Sequence, residues 1–125
     1  DYVHCLAVPT ITPNLVNIQR MPPLQIKEDR VVRFGMLEGD AVVDADMCVY
    51  DPQSAYVPVG FRANGSRANR LAIVANSGEV KALTNLTDIS SAAAKLREDE
   101  QAEVVVVKCG LDGAIVSSIS GTVRV

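Results

Sequence analysis

The sequence predicts an α/β domain with a largely parallel sheet, flanking helices and a β-hairpin at its C-terminal end. The apolar run of residues 71–75 has the composition of a buried strand. The run of residues 104–107 is β-branched throughout, which predicts a strand covered on both faces, as parallel sheets require. A helical pattern over residues 88–100 separates them, which is typical of a strand–helix–strand unit. We therefore expect residues 1–125 to form a single α/β segment.

The helix predicted at residues 88–100 rests on an apolar face. Ile89, Ala92 and Leu96 recur at helical spacing, and the remaining positions are mostly charged or polar. Thr87 has the side chain of a good N-cap, so we expect it to start this helix.

The other elements are shorter. Residues 2–8 resemble a strand that Pro9 should end, because proline cannot donate to a sheet ladder. Asp51 follows a buried run and stands at the exit of a strand. After a glycine-rich turn, the chain returns as a hairpin. The further strands expected are residues 30–36, 41–45 leading into 47–50, 114–119 and 122–125.

Composition excludes several classes of protein. The formal net charge is -3, aromatic residues make up 4% and tryptophan is absent, so we expect no nucleic-acid partner. No apolar run approaches the roughly 20 residues of a membrane helix. The three cysteines are far apart and lack the spacing of a zinc site, which predicts free thiols and a cytoplasmic location.

The candidate functional residues lie where the strand of residues 71–75 ends. Asn76 follows that strand, and Glu79 opens a helical segment three residues later. In an open α/β sheet ligands bind at this edge, and an amide oxygen with a carboxylate suits Mg²⁺ held through waters and phosphates. The same spacing also fits a capping box, with Asn76 as N-cap and Glu79 as its partner. Spacing alone favours the cap.

Three motifs in order resemble the ribokinase-like (PfkB-type) family of carbohydrate and nucleoside kinases. Asn76-Ser-Gly-Glu79, followed by Ala82-Leu-Thr84, is similar to the family's Asn-x-x-Glu motif. The run from Val104 to Val116 is similar to the strand, glycine turn and hairpin that follow it. Tyr50-Asp-Pro-Gln53 resembles an earlier strand end. The resemblance extends from about residue 47 to residue 125, and it favours a functional role for Asn76 and Glu79.

The resemblance implies a kinase that transfers the γ-phosphoryl group of ATP to a hydroxyl of a sugar or nucleoside. Asn76 and Glu79 would organise Mg²⁺, with Glu79 partly exposed at a cleft. The nucleotide would lie along the end of the second buried strand, with Asp51 near the phosphoryl-transfer site. The nucleotide-binding residues implied are Asn76, Lys108, Cys109, Gly110 and Gly113. The oligomeric state stays open, with a homodimer as one option.

Two features of the family are missing from these residues. The glycine-rich substrate-binding segment with its lid is not recognisable, and neither is the Gly-x-Gly-Asp motif that carries the catalytic base. Glu38-Gly-Asp40 lies on the wrong side of Asn76 and is not assigned as the base. We therefore expect a partial domain that is inactive by itself. The alternatives are a non-catalytic nucleotide-binding or interaction domain on the same fold, and an unrelated α/β domain in which Asn76 and Glu79 only cap a helix.

Overall fold

The computed structural model describes the backbone of residues 2–5, 8–11, 22–35, 40–53 and 57–125, and the side chains from residue 22 onward within these ranges. Short 3₁₀ turns occur at Phe61–Asn64 and Gly110–Asp112. The helices are α1 (Ser77–Thr84) and α2 (Ile89–Asp99). The strands are β1 (Tyr2–Cys5), β2 (Val8–Ile11), β3 (Leu24–Phe34), β4 (Ala41–Asp51), β5 (Arg67–Asn76), β6 (Val104–Lys108), β7 (Ala114–Ser118) and β8 (Gly121–Arg124).

Six strands form the main sheet in the order β3-β4-β5-β6-β7-β8. The pairs from β3 to β6 are parallel, and the β6–β7 and β7–β8 pairs are antiparallel. β1 and β2 pair separately as an antiparallel hairpin. This arrangement confirms the predicted α/β class, the mostly parallel sheet, the C-terminal hairpin and the central position of β5 and β6.

Both helices pack on one face of the sheet, which we call the covered face. Alternate residues of β5 and β6 are buried there, including Ile73 and Val105, and they share one core with Val80 of α1 and Leu96 of α2. The intervening residues, such as Val106, are only partly buried on the opposite face, which we call the open face. The prediction that residues 104–107 are covered on both faces is therefore wrong for the described elements.

The first three strands of the main sheet, β3, β4 and β5, bend at the same level. In β4 the buried residues before the bend are Val43 and Ala45, and those after it are Cys48 and Tyr50, so the inward-facing set changes. In β3 and β5 the set of inward-facing residues changes at the positions that pair with the bend of β4. The pairing register between the strands is the same before and after the bend. No strand carries an extra residue, so the change is a shared bend and not a β-bulge.

A buried arginine fixes the inside of this bend. Arg33 is 6% exposed, and its guanidinium lies 4.6 Å from the centroid of the Tyr50 ring. It donates to the carbonyl of Phe61 at 3.1 Å and to the carboxylate of Asp40 at 2.8 Å. Because Phe61 belongs to the connection between β4 and β5, Arg33 fastens that connection to the covered face.

Several predicted boundaries differ from the structure. Pro9 does not end a strand, because it lies within β2 and pairs with His4. β3 begins at Leu24, well before the expected residue 30, because its polar first half carries no apolar alternation. Asp88, not Thr87, is the N-cap of α2, and its side chain accepts from the N–H of Ser91. Within the described ranges, no helix has the length and apolar character needed to cross a membrane.

Candidate functional site

Three polar side chains stand where three neighbouring parallel strands end. Asp51 is the last residue of β4, Asn76 of β5 and Lys108 of β6. Asn76 and Lys108 are direct partners in the β5–β6 register. Because parallel strands end at the same edge of a sheet, all three lie at the carboxyl edge, which is where ligands bind in open α/β sheets.

Lys108 and Asp51 form an ion pair across the end of β5. Nζ of Lys108 lies 3.6 Å from Oδ2 of Asp51, and the lysine side chain is 55% exposed whereas that of the aspartate is 11% exposed. The other oxygen of Asp51 accepts from the backbone N–H of Gln53 at 3.1 Å. A long ion pair at an exposed lysine is weak, so the ammonium group can turn toward an incoming anion. The sequence placed both residues at strand ends, but it carried no signal that they would meet.

Asn76 and Glu79 form a complete capping box at the start of α1. Oδ1 of Asn76 accepts from the N–H of Glu79 at 2.8 Å, and Oε2 of Glu79 accepts from the N–H of Asn76 at 2.9 Å. Glu79 is 6% exposed. The expectation that Glu79 is partly exposed at a cleft, free of a capping role, is therefore wrong. The interpretation that spacing alone favoured, a helix cap, is the one observed.

This geometry limits how a magnesium ion could be held. One oxygen of Asn76 and one of Glu79 are engaged in the cap, so binding the ion through those atoms would break it. The described residues contain no group of three or more histidine, cysteine, aspartate or glutamate side chains arranged to hold a metal. The described oxygen atoms at this edge fit a Mg²⁺ ion that is held mainly through waters and phosphates. Among them, Oδ2 of Asp51 is the carboxylate oxygen best placed to contribute, because its ion pair with Lys108 is long, at 3.6 Å.

The turn after β6 is closed on itself. The N–H of Cys109 donates to the carbonyl of Gly113 at 2.8 Å, and the thiol of Cys109 is 3.6 Å from the carbonyl of Val107. Cys109 is a free thiol, as is the buried Cys48, which agrees with the prediction for these two. Cys5 lies outside the described side chains.

The two glycines of this turn serve different purposes. Gly110 has a φ of +60°, and a Cβ there would meet nothing within 4 Å, so open space lies beside its backbone. A Cβ on Gly113 would approach the carbonyl oxygen of Val125, and the φ of Gly113 is +85°. Packing against the last residue therefore accounts for Gly113. Only Gly110 leaves room for a ligand to approach.

Comparison with solved structures gives a likeness in fold. No family model matches the sequence, and no curated protein matches it. A crystal structure of a PfkB protein from Polaromonas sp. JS666 is similar at a TM-score of 0.46 and 22% identity. The alignment covers 63% of this chain and 29% of that protein, so the chain spans less than a third of its length.

Proposed function

We propose that this chain is the nucleotide-phosphate-binding part of a ribokinase-like kinase, which transfers the γ-phosphoryl group of ATP to a hydroxyl of a sugar or nucleoside. The observation that carries the proposal is the meeting of Asp51, Asn76 and Lys108 at the carboxyl edge of three parallel strands. The order of the three sequence motifs supports the same reading.

Lys108 is the residue proposed to contact phosphate. Its ammonium group is exposed and its ion pair with Asp51 is 3.6 Å long, so a phosphate oxygen can replace or share that partner. Asn76 presents an exposed amide next to it, whose nitrogen makes no hydrogen bond among the described residues. Both groups are donors, which suits the oxygen-rich surface of a polyphosphate.

Magnesium would be held at the same edge by the phosphates of ATP, by waters and by the carboxylate of Asp51, with Glu79 acting through the cap that orients Asn76. When bound, the ion would neutralise the charge that develops on the transferred phosphoryl group. No described residue is assigned as the catalytic base. Asp40 precedes the first residue of β4, at the amino end of the strand whose carboxyl end carries Asp51, and it is bound to Arg33 and Asn64.

The second candidate is a non-catalytic nucleotide-binding domain on the same fold. The observation that favours it is the capping box, because the two residues of the Asn-x-x-Glu motif already have a structural role. The two candidates predict the same nucleotide binding, and they differ in whether a phosphoryl group is transferred.

Binding of ATP in the presence of Mg²⁺, measured by isothermal titration calorimetry, tests the shared part of the proposal. Lys108→Met should weaken binding by about tenfold or more, because charge-assisted hydrogen bonds to phosphate are lost. Lys95→Met is the matched control, since Lys95 also forms an exposed ion pair, with Asp99 on α2. Equal affinity for the Lys108→Met variant and the unchanged chain would overturn the assignment of Lys108.

Asn76→Asp separates the binding role from the cap. An aspartate oxygen can still accept from the N–H of Glu79, so the helix start should stay intact. Its negative charge would repel phosphate, so ATP binding should fall while the melting temperature holds. Release of ADP with a panel of sugars and nucleosides then distinguishes the two candidates: turnover supports the kinase, and binding without turnover supports the non-catalytic domain.

A further inference from the structure

An asparagine followed by a glycine lies in the connection between β4 and β5. Asn64 is the last residue of the 3₁₀ turn Phe61–Asn64, and Gly65 follows it with a φ of +90°. The N–H of Gly65 donates to the carbonyl of Arg62 at 3.0 Å. Because glycine has no side chain to shield its backbone nitrogen, that nitrogen can attack the side chain of a preceding asparagine. This pair of residues is therefore chemically reactive in an unrestrained chain.

The reaction of such a pair is the loss of ammonia from the asparagine. The backbone nitrogen of Gly65 bonds to the side-chain carbonyl carbon of Asn64, the C–N bond of the side-chain amide breaks, and ammonia leaves with the proton of the Gly65 N–H. Water then opens the ring at one of its two carbonyls, which gives aspartate or isoaspartate. One water enters and one ammonia leaves, so the reaction needs no oxidant, reductant or cofactor.

In the folded chain the side chain of Asn64 is fully engaged. Its Nδ2 donates to Oδ2 of Asp40 at 2.8 Å and to the carbonyl of Ala41 at 2.9 Å. Its Oδ1 accepts from the N–H of Ser66 at 3.1 Å and from the hydroxyl of Ser66 at 2.6 Å. The amide nitrogen is the leaving group and the carbonyl carbon is the point of attack, so the reaction requires these hydrogen bonds to break. The fold therefore protects Asn64.

The surroundings of Asn64 make the product costly to the fold. Oδ1 of Asp40 pairs with Arg33 at 2.8 Å, while Oδ2 of Asp40 accepts from the amide of Asn64. A carboxylate at position 64 would face Oδ2 of Asp40 with a like charge, and the carbonyl of Ala41 would lose a donor. The Arg33 guanidinium already serves Asp40, Ser66 and the connection, so it does not neutralise a second carboxylate.

We infer that Asn64 is a deamidation site that folding protects and unfolding exposes. While the fold is intact, four hydrogen bonds keep the side chain of Asn64 an amide. In a molecule that stays unfolded, Gly65 converts that amide to a carboxylate, which then opposes Asp40 and hinders the return to the fold. Prolonged unfolding thus becomes irreversible through one chemical change. The inference stands on these contacts and does not depend on nucleotide binding.

Peptide mass spectrometry of the unchanged chain tests the protection. The chain is kept at mildly alkaline pH, either in buffer or unfolded in urea, beside a synthetic peptide of residues 60–69. In urea Asn64 should deamidate at the rate of the peptide, and in buffer at least about tenfold more slowly, because the reaction must wait for local opening. Asn85 is the internal control, since it is exposed but precedes Leu86, whose side chain hinders attack. Equal rates at Asn64 in buffer and urea, or no reaction in either, would overturn the inference.

Returning the aged chain from urea to buffer tests the consequence. Size exclusion should separate a folded fraction that keeps the amide of Asn64 from an unfolded fraction enriched in aspartate and isoaspartate at that position. The same proportion of modified Asn64 in both fractions would show that the carboxylate does not hinder refolding, and the inference would fail.

A matched pair of variants isolates the effect of the carboxylate. Asn64→Asp should lower the folding equilibrium constant by about tenfold or more, since a half-buried amide donor is replaced by a like charge. Asn69→Asp is the control, because the amide of Asn69 donates to Oδ1 of Asp46 at 3.1 Å at an exposed site. It should change the constant by less than about threefold. Chemical denaturation measures both, and equal effects would contradict the inference.

Discussion

Nη2 of Arg33 lies 2.8 Å from Oδ1 of Asp40, although Arg33 is near the carboxyl end of β3 and Asp40 directly precedes the amino end of the parallel strand β4. The backbone N–H of Leu24, at the start of β3, already donates to the carbonyl of Asp40 at 2.9 Å. A straight strand would place Arg33 roughly 30 Å from Leu24. The contact is therefore possible only because the strands bend, and it holds the two halves of the bend together.

Arg33→Met should lower the free energy of unfolding by about 2 kcal/mol, because hydrogen bonds from a buried charged group are lost and the Phe61 carbonyl loses its donor. Arg67→Met is the control, since Arg67 pairs with Asp44 at an exposed site and should change stability by no more than about 0.5 kcal/mol. Chemical denaturation of both variants measures the difference. Similar losses in the two variants would show that Arg33 does not hold the bend.

The same pair predicts a dependence on pH. Burial raises the pKa of Asp40, but hydrogen bonds from Asn64 and the Ala41 N–H, with the charge and hydrogen bond of Arg33, outweigh it and hold the pKa below its ordinary 3.8. Because the pKa of Asp40 is lower in the folded state, the ionised carboxylate stabilises the fold at pH values above the pKa of the unfolded state. This stabilisation is lost as the pH falls through the pKa of the folded state. The stability difference between the unchanged chain and Asp40→Asn should therefore shrink below about pH 4. A constant difference from neutral to acid pH would contradict this.

The capping box makes a prediction about Glu79. Glu79→Ala should cost about 1 kcal/mol, because the Asn76 N–H loses its acceptor at the start of α1. Glu79→Gln should cost less, since a glutamine oxygen can accept the same hydrogen bond. Thermal unfolding of the two variants provides the comparison, and equal losses would mean that the charge of Glu79 matters more than its cap.

Neighbouring residues of β6 should respond differently to a buried charge. Val105 is fully buried on the covered face, so Val105→Asp should destabilise by more than about 4 kcal/mol and unfold the chain. Val106 is partly exposed on the open face, so Val106→Asp should leave a folded chain. Circular dichroism of both variants tests this. Unfolding by Val106→Asp would show that the open face is covered in solution.

The sequence predicted the parts of the fold that apolar periodicity specifies. The strands at residues 71–75 and 104–107, and the helix at residues 88–100, have strong apolar patterns and were placed correctly. β3 was predicted too short because the stretch Lys27-Glu-Asp-Arg30 is polar on both faces, which is allowed only where a strand lies exposed at an edge. Edge position is a property of the whole sheet and is not visible locally.

The candidate site was predicted less completely. The turn residues that begin at Asn76 correctly marked the end of the strand. The spacing of Asn76 and Glu79 also predicted the capping box that the structure shows. The ion pair between Asp51 and Lys108 depends on the order of three strands, which no local pattern encodes. Arg33 and Asp40 were not singled out as a pair, because only the bend brings them together.

The order of strands in the sheet also bears on how the chain folds. Each parallel strand pairs with the next one along the chain, as Leu24 does with Ala41, Asp44 with Arg67 and Ala72 with Val104. Such a sheet has a low contact order for a parallel architecture, because no strand waits for a distant partner. The sheet can therefore grow strand by strand from β3 as the polypeptide leaves the ribosome. Among the described strands, the edge that stays unpaired throughout that growth is the outer edge of β3.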